Sequence, residues 1–172
     1  MYPASSNGLN KETENTVYFF TTAFHPLDNF SAHSIRLWGK DFPTAEHAFQ
    51  WKKFSTNHPD IAAAILSAKS PHLVKEISNA NKDKQPETWH KDKVGVMEEI
   101  LRAKTEQHED VQETLRKTGS RKIIENSPVD SFWGIGAEGN GKNVVGEIWM
   151  KIRDPLNRYT DPSASGKSPR TR

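Results

Sequence analysis

The chain has 172 residues, no cysteine and a formal net charge of +2. The lack of cysteine excludes disulfides, thiolate metal sites and a cysteine nucleophile, and it is typical of an intracellular protein. So small a charge does not by itself indicate a nucleic-acid binder, and no run of about 18 apolar residues indicates a membrane span. We therefore expect a cytoplasmic or nuclear protein with no membrane partner.

The two ends of the chain differ in composition from its middle. Residues 1–15 are polar and have no apolar pattern, and residues 159–172 are rich in Ser, Pro, Lys and Arg. Segments of this kind bury too little surface to order themselves. We predict one folded domain over residues 16–158, between a disordered N-terminal segment and a disordered basic tail.

Apolar periodicity predicts an α+β domain that is mostly helical, with a few short strands. Two β-prone runs come first, at Val17–Phe20 and Ser34–Trp38. Helices are then predicted at Pro43–Phe54, after Pro59, after Pro71, from Trp89 to Lys104 and around Val111 and Leu115. A brief strand at Arg121–Glu125 precedes a last helix over Asn143–Arg153, which Asp154 and Pro155 are expected to end.

The helix predicted at Pro43–Phe54 carries an acid and an amine on one face. Thr44 is a suitable cap, and spacings of four, three and seven put Glu46, Gln50 and Lys53 in one stripe. Phe49 lies beside them on the same face. Two interpretations stay open: a solvated Glu/Lys face, or one site served by both groups.

Glycines recur from Gly134 to Asn143, in the sequence GIGAEGNGKN. This stretch satisfies GxGxxG and nearly satisfies the phosphate-loop pattern, but the residues before it do not read as the buried strand that either motif requires. Glycines still let a backbone approach a ligand closely, and the helix start that follows attracts anions. A phosphate or ribose site and a tight turn with positive φ are both consistent with it.

Asp130 and Trp133 stand at the start of that loop. A carboxylate next to a flat indole suits a ligand made of a sugar and a base, although a tryptophan is as often an ordinary core residue. The seven histidines show no HxxxH or HExxH spacing. We therefore predict no metal site and no cofactor.

Taken together, these motifs resemble the NADAR domain family, which is named for its association with NAD and ADP-ribose and includes YbiA-like N-glycosidases. The shared segments are LDNF at Leu27–Phe30, FPTAEHAFQWKKF at Phe42–Phe54, Trp89 with Met97, Thr118-Gly119, and DSFWGIGAEGNGKNVVGEIWMKIR at Asp130–Arg153. The likeness covers about residues 18–153. It implies a mostly helical single domain that hydrolyses an N-glycosidic bond.

The resemblance implies two substrate branches. One is ADP-ribose on the exocyclic amine of guanine, in single-stranded DNA or a nucleotide, with ADP-ribose as the product. The other is the phosphoribosylamino-pyrimidine intermediates of riboflavin synthesis. We expect the first branch, because the chain resembles a NADAR domain without a fused riboflavin-pathway module. A third interpretation is a non-catalytic module that binds ADP-ribose or NAD. Protein partners are not predicted.

Both substrates contain a glycosylamine whose ribose can open to an imine. The expected mechanism has Lys53 attack C1 as a Schiff-base nucleophile, Glu46 shuttle protons and Asp130 position the ribose. In a competing mechanism Glu46 activates water and Asp130 is the acid. The expected substrate-binding residues are Asn29, Phe30, Phe49, Gln50, Trp89, Trp133, Gly134, Gly136, Gly139, Asn140 and Asn143, with the loop from Gly136 to Asn143 holding phosphate and Trp133 stacking on base or sugar.

Overall fold

The computed structural model describes residues 8–20 and 25–158, and within these ranges it has six α-helices and five short strands. The strands are β1 (Lys11–Glu12), β2 (Thr16–Phe19), β3 (Ile35–Leu37), β4 (Lys40–Phe42) and β5 (Lys122–Glu125). The helices are α1 (Ala45–Phe54), α2 (Pro59–Leu66), α3 (Pro71–Ala80), α4 (Trp89–Gln107), α5 (Glu109–Thr118) and α6 (Val144–Arg158). The predicted mostly helical α+β fold is confirmed. No helix in these ranges is long and apolar enough to cross a bilayer.

Strands β1, β2 and β5 form a small sheet with β2 in the middle. Strand β2 runs antiparallel to β1 and parallel to β5, so that Phe19 pairs with Glu125 at one end. Strand β1 lies in the segment predicted to be disordered. Its two residues are polar and exposed, so they give no apolar pattern. Residues 1–7 and the predicted tail 159–172 lie outside the described residues.

A tight hairpin joins β3 to β4. Its two turn residues, Trp38 and Gly39, have φ angles of 51° and 72°, as a two-residue hairpin turn between twisted strands requires. The sequence predicted only the first strand, because Lys40 and Asp41 are polar and exposed. The hairpin leads directly into α1.

Helix α1 is the central helix of the domain and packs against α2, α3 and α4. The Thr44 hydroxyl accepts a hydrogen bond from the backbone N–H of His47, which confirms the predicted cap. Every residue from 45 to 50 is buried, including the polar ones. Burial on all sides holds the polar residues of α1 in fixed positions, which a solvated helix face would not do.

Helix α6 ends later than predicted, because it continues through Pro155 to Arg158. A proline this close to the helix end removes one hydrogen bond of the last turns and is tolerated there. Near the middle of α6 the indole of Trp149 is fully buried and donates to the carbonyl oxygen of Leu27 at 3.0 Å. This bond fixes the loop that carries Asn29 and Phe30.

Candidate active site

A cavity of about 1010 Å³ opens between α1, α3, α4 and the segment that follows β5. All the residues predicted to be catalytic line it: Glu46, Lys53 and Asp130. Its wall also includes Asn29, Phe30, Phe49, Gln50, Trp89 and Trp133 from the predicted binding set. The predicted stripe on α1 therefore faces one concave site.

A chain of hydrogen bonds joins the amine to the acid on that wall. Lys53 Nζ donates to the Ser78 hydroxyl at 3.2 Å, and that hydroxyl donates to Gln50 Oε1 at 2.7 Å. Gln50 Nε2 then donates to Glu46 Oε1 at 2.8 Å. Ser78, near the end of α3, is a site residue that the sequence analysis missed, since a serine in a helix carries no signal of its own.

Burial sets the protonation chemistry of Lys53. Loss of water around the amine lowers its pKa to about 8, although the charge of Glu46 opposes this and the nearby Lys82, Lys93 and Lys75 reinforce it. The ammonium of Lys52, the preceding residue in α1, lies 4.7 Å from the centre of the Trp38 ring. At pH 7 about one-tenth of the Lys53 amine is then neutral, far more than for an exposed lysine.

Two carboxyl groups in the cavity are held in a dry environment. Burial raises the pKa of Glu46, against the lowering effect of its bond from Gln50. Burial, with the charges of Asp28, Asp130 and Glu46, raises the pKa of Glu125 to about 8. No residue in the described part of the chain bonds Glu125 Oε2, which is buried. A neutral carboxylic acid of this kind can donate a proton to a ligand.

Glu125 is the second residue that sequence reasoning missed. It was assigned to the brief strand Arg121–Glu125, and strand alternation does not show that this last side chain faces a cavity. Its position follows from the parallel pairing with β2, which involves residues far apart in the sequence. No local pattern contains that information.

The turn after β5 positions Asp130 and Trp133. Asp130 Oδ1 accepts hydrogen bonds from the backbone N–H groups of Phe132 and Trp133, at 2.9 and 2.7 Å. These bonds do not use Oδ2. The indole of Trp133 meets Phe49 edge to face at 5.4 Å, and so closes an aromatic wall beside Lys53.

The glycine-rich loop does not line the cavity, and its predicted contact with substrate stays a prediction. Gly134, Gly136, Gly139, Asn140 and Asn143 are all absent from the wall. The four backbone N–H groups of residues 142–145, at the start of α6, donate to the carbonyl oxygens of residues 131–134 at 2.8–3.1 Å. Since protein carbonyls take these donors, they do not serve a phosphate.

The glycines of this loop permit close approach of the chain to itself. A Cβ atom on Gly134 would lie 2.6 Å from the carbonyl oxygen of Glu125. Asn143 has a φ of 51°, and its side chain bonds the backbone N–H of Glu125 and the carbonyl of Ile123, both at 2.9 Å. Of the two interpretations of the loop, the tight turn agrees with the structure.

Cations and aromatic rings surround the cavity instead. Lys75, Lys93, His72 and His90 are on its wall, and the Lys93 ammonium lies 3.6 Å from the centre of the Phe132 ring. Lys75 lies 5.8 Å from the Phe30 ring in the same way. This rim offers positive charge and flat surfaces together, the combination that a nucleotide requires.

Asn29 brings a polar side chain to the cavity wall. Its amide nitrogen contacts the Met97 sulfur at 3.5 Å, while no described residue bonds its buried Oδ1. A buried acceptor without a donor is costly, so a ligand hydroxyl or amine that bonds it gains affinity. The Asn29 carbonyl also accepts from the backbone N–H of Glu46 at 3.1 Å, which ties this loop to α1.

Comparison with known proteins identifies the family of this chain. The NADAR domain family model matches residues 10–157. The N-glycosidase YbiA of Escherichia coli is 32% identical over 157 residues, which cover 90% of this chain and 97% of that protein. The solution NMR structure of E. coli YbiA superimposes with a TM-score of 0.73 at 30% identity, covering 86% of this chain and 88% of that one.

A longer relative contains the same domain as one part of its chain. The chloroplastic riboflavin biosynthesis protein PYRR of Zea mays is 32% identical over 157 residues, which are only 25% of its length. The match to the family model spans nearly all of the described residues, and the fold agrees with that of a solved relative. The chain therefore belongs to the NADAR domain family.

Proposed function

We propose that this protein is an N-glycosidase that removes ADP-ribose from the exocyclic amine of guanine. Relatives that match over most of their own length are named N-glycosidases, which supports hydrolysis of an N-glycosyl bond as the reaction class. The observation that carries the proposal is the hydrogen-bond chain from Lys53 through Ser78 and Gln50 to Glu46 inside one cavity.

The size and charge of the cavity favour an ADP-ribosyl substrate. Its volume of about 1010 Å³ is at the upper end of ordinary ligand sites, and a single phosphoribosyl group would leave much of it empty. The cationic rim at Lys75 and Lys93 suits a diphosphate. Phe30, Phe132 and Trp133 offer faces on which a base can stack.

The proposed chemistry begins with ring opening. A neutral acid protonates the ribose ring oxygen while the guanine amine loses its proton and forms a C1=N double bond. The neutral Lys53 amine adds to C1, the guanine amine takes a proton and departs, and a C1=Nζ imine remains. Water then adds to C1, the C1–Nζ bond breaks, and ADP-ribose leaves as an aldehyde that closes to its ring form. One water is consumed in each turnover.

The acids of the cavity have separate roles in this scheme. Glu125, with its pKa near 8, is the neutral donor that protonates the ring oxygen. Glu46 takes up and returns protons at the reacting atoms, while the hydrogen bonds through Ser78 and Gln50 hold Glu46 and Lys53 in place. Asp130 holds the ribose. Its Oδ1 accepts two backbone hydrogen bonds within the turn, which fix the orientation of the carboxylate toward the sugar.

The test is incubation with single-stranded DNA that carries ADP-ribose on guanine, followed by mass analysis. We expect unmodified DNA and free ADP-ribose. A second sample treated with borohydride should contain protein with a reduced ADP-ribosyl adduct at Lys53. Product without an adduct would support the competing mechanism, in which Glu46 activates water. Tight binding of ADP-ribose without product would indicate a binding module.

A second substrate class follows from the riboflavin biosynthesis relatives. The Zea mays protein and a Vibrio vulnificus protein of that name both match this chain at 30–32% identity. Phosphoribosylamino-pyrimidines contain the same glycosylamine, so the same mechanism would release ribose 5-phosphate. Parallel assays with both substrates, compared by kcat/KM, decide between them.

A further inference from the structure

A second group of ionisable side chains lies outside the cavity. His33 follows the loop that carries Phe30, His108 joins α4 to α5, and Asp110 is in the first turn of α5. One ligand atom from each of the three side chains lies within 4.8 Å of the other two. None of the three lines the cavity. The sequence analysis saw no metal motif because these residues meet only through the fold.

Hydrogen bonds fix which nitrogen of each ring carries a lone pair. The Ser31 hydroxyl lies 2.8 Å from both the Asp28 carbonyl oxygen and His33 Nδ1. When its one hydrogen bonds the Asp28 carbonyl, the hydroxyl accepts from His33 Nδ1–H. His108 Nε2 lies 2.6 Å from the Ser34 carbonyl and must also donate. In the neutral rings the lone pairs are therefore on His33 Nε2 and His108 Nδ1. Metal-bound histidines are oriented in this way by bonds from their second nitrogen.

His33 Nε2 lies 2.8 Å from Asp110 Oδ2. With Nδ1–H already donated to Ser31, a neutral His33 would place two lone pairs against each other at this distance. A proton on the ring nitrogen satisfies both atoms in the metal-free protein, and a metal ion bound by both side chains would replace that proton.

We propose that His33, His108 and Asp110 form a binding site for a divalent transition metal, zinc foremost. Two imidazoles and one carboxylate are a common protein ligand set for Zn²⁺ and leave a fourth position for water. Ligands of one zinc ion lie roughly 3.4 Å apart, so binding would move Asp110 Oδ2 slightly away from His33 Nε2, which lies 2.8 Å from it in the metal-free structure. Asp110 can make this movement because its side chain is 52% exposed, whereas that of His33 is 13% exposed.

Lys104 is a cation close to this cluster. Its Nζ is buried and donates at 2.7 Å to the same Ser31 hydroxyl that contacts His33 Nδ1. Burial lowers the pKa of Lys104 to about 7, which weakens its repulsion of a cation. A bound metal would pin the loop after Phe30 to the junction of α4 and α5. It would thereby hold Asn29 and Phe30 in place on the cavity wall.

The test is titration of untagged, chelator-treated full-length protein with Co²⁺ and Zn²⁺. We expect one equivalent of Co²⁺ to give the visible absorption of a four-coordinate site, and Zn²⁺ to displace it. His108→Ala and Asp110→Asn should weaken binding at least tenfold. His58→Ala, at the start of α2 and outside the cluster, should bind as the wild type does. Zn²⁺ should also shift the imidazole NMR signals of His33 and His108 in the wild-type protein, which identifies the ligands even if a variant fails to fold.

Three results would overturn the proposal. The first is no stoichiometric metal binding by the wild-type protein. The second is equal binding by the His108→Ala and His58→Ala variants. The third is a Zn²⁺-induced NMR shift at other histidines while those of His33 and His108 stay unchanged.

Discussion

The face of α1 and the loop from Gly134 to Asn143 both looked like functional motifs in the sequence, but they have different places in the structure. Helix α1 directs Glu46, Gln50 and Lys53 into the cavity. The loop directs its backbone groups toward its own carbonyls and the end of β5. Helical periodicity fixes where side chains point, whereas a glycine pattern says only that something approaches the backbone closely. Here the partner that approaches is the protein itself.

Removing the Lys53 amine should have the largest effect. Lys53→Ala is expected to lower kcat/KM by about 10³-fold or more and to abolish the borohydride adduct, because no other amine in the cavity bonds the Ser78–Gln50–Glu46 chain. Lys52→Ala is the matched control, since that side chain lies over Trp38, and it should stay within about twofold. Full activity and an adduct in Lys53→Ala would refute the nucleophile assignment.

Glu125→Gln should lower kcat/KM by about 10²-fold, the usual scale for a lost general acid. The pH profile makes the test specific. Activity of the wild type should rise as Lys53 loses its proton near pH 8 and fall as Glu125 loses its own near pH 8, giving a bell. The variant should keep the rising limb and lose the falling one. Glu147→Gln, on the exposed side of α6, should leave both limbs unchanged.

Asn143→Ala tests the structural role of the loop. It removes two hydrogen bonds to the backbone of β5 and places alanine at a φ of 51°. We expect the free energy of unfolding to fall by about 2–3 kcal/mol, a factor of roughly 30–150 in the unfolding equilibrium. Denaturant titration measures it. A fully stable variant with a raised KM would instead support the predicted role of Asn143 in substrate binding.

Lys93→Ala should raise KM by about tenfold with kcat nearly unchanged, because a rim ammonium binds the ground state and the transition state alike. Lys91→Ala, on the same helix but not on the cavity wall, is the control. An equal effect of both variants would mean that the phosphates are attracted by general charge rather than by this position.

Asn140→Ala should have the smallest effect. Its side chain is exposed and away from the cavity, so both kcat/KM and stability should remain within about twofold of wild type. A tenfold loss of substrate affinity would show that the loop moves onto the substrate and would restore the prediction made from its sequence.

The sequence was sufficient to predict the structure where the whole pattern lies within one helix. Local spacing predicts the cap at Thr44, the helix α1 and the common face of Glu46 and Lys53. The helical elements were predicted for the same reason, with errors at their ends such as the continuation of α6 through Pro155.

The site features that the sequence did not predict depend on contacts between distant parts of the chain. Ser78 belongs to the site because α3 packs on α1, and Glu125 because β5 pairs with β2. The shifted pKa values of Lys53 and Glu125 depend on burial, which a sequence pattern does not measure. The grouping of His33 with His108 and Asp110 arises in the same way.

The parallel pairing of β2 with β5 has a further consequence for how activity arises during synthesis. Glu125 reaches its place only when the strand around Phe19, made more than a hundred positions earlier, is aligned beside it. The loop that carries Asn29 is then anchored by Trp149, later still. Contacts between residues so far apart in the sequence form late in folding. A partly translated chain on the ribosome can therefore form the Lys53 helix, but its cavity stays incomplete until the final helix has been made.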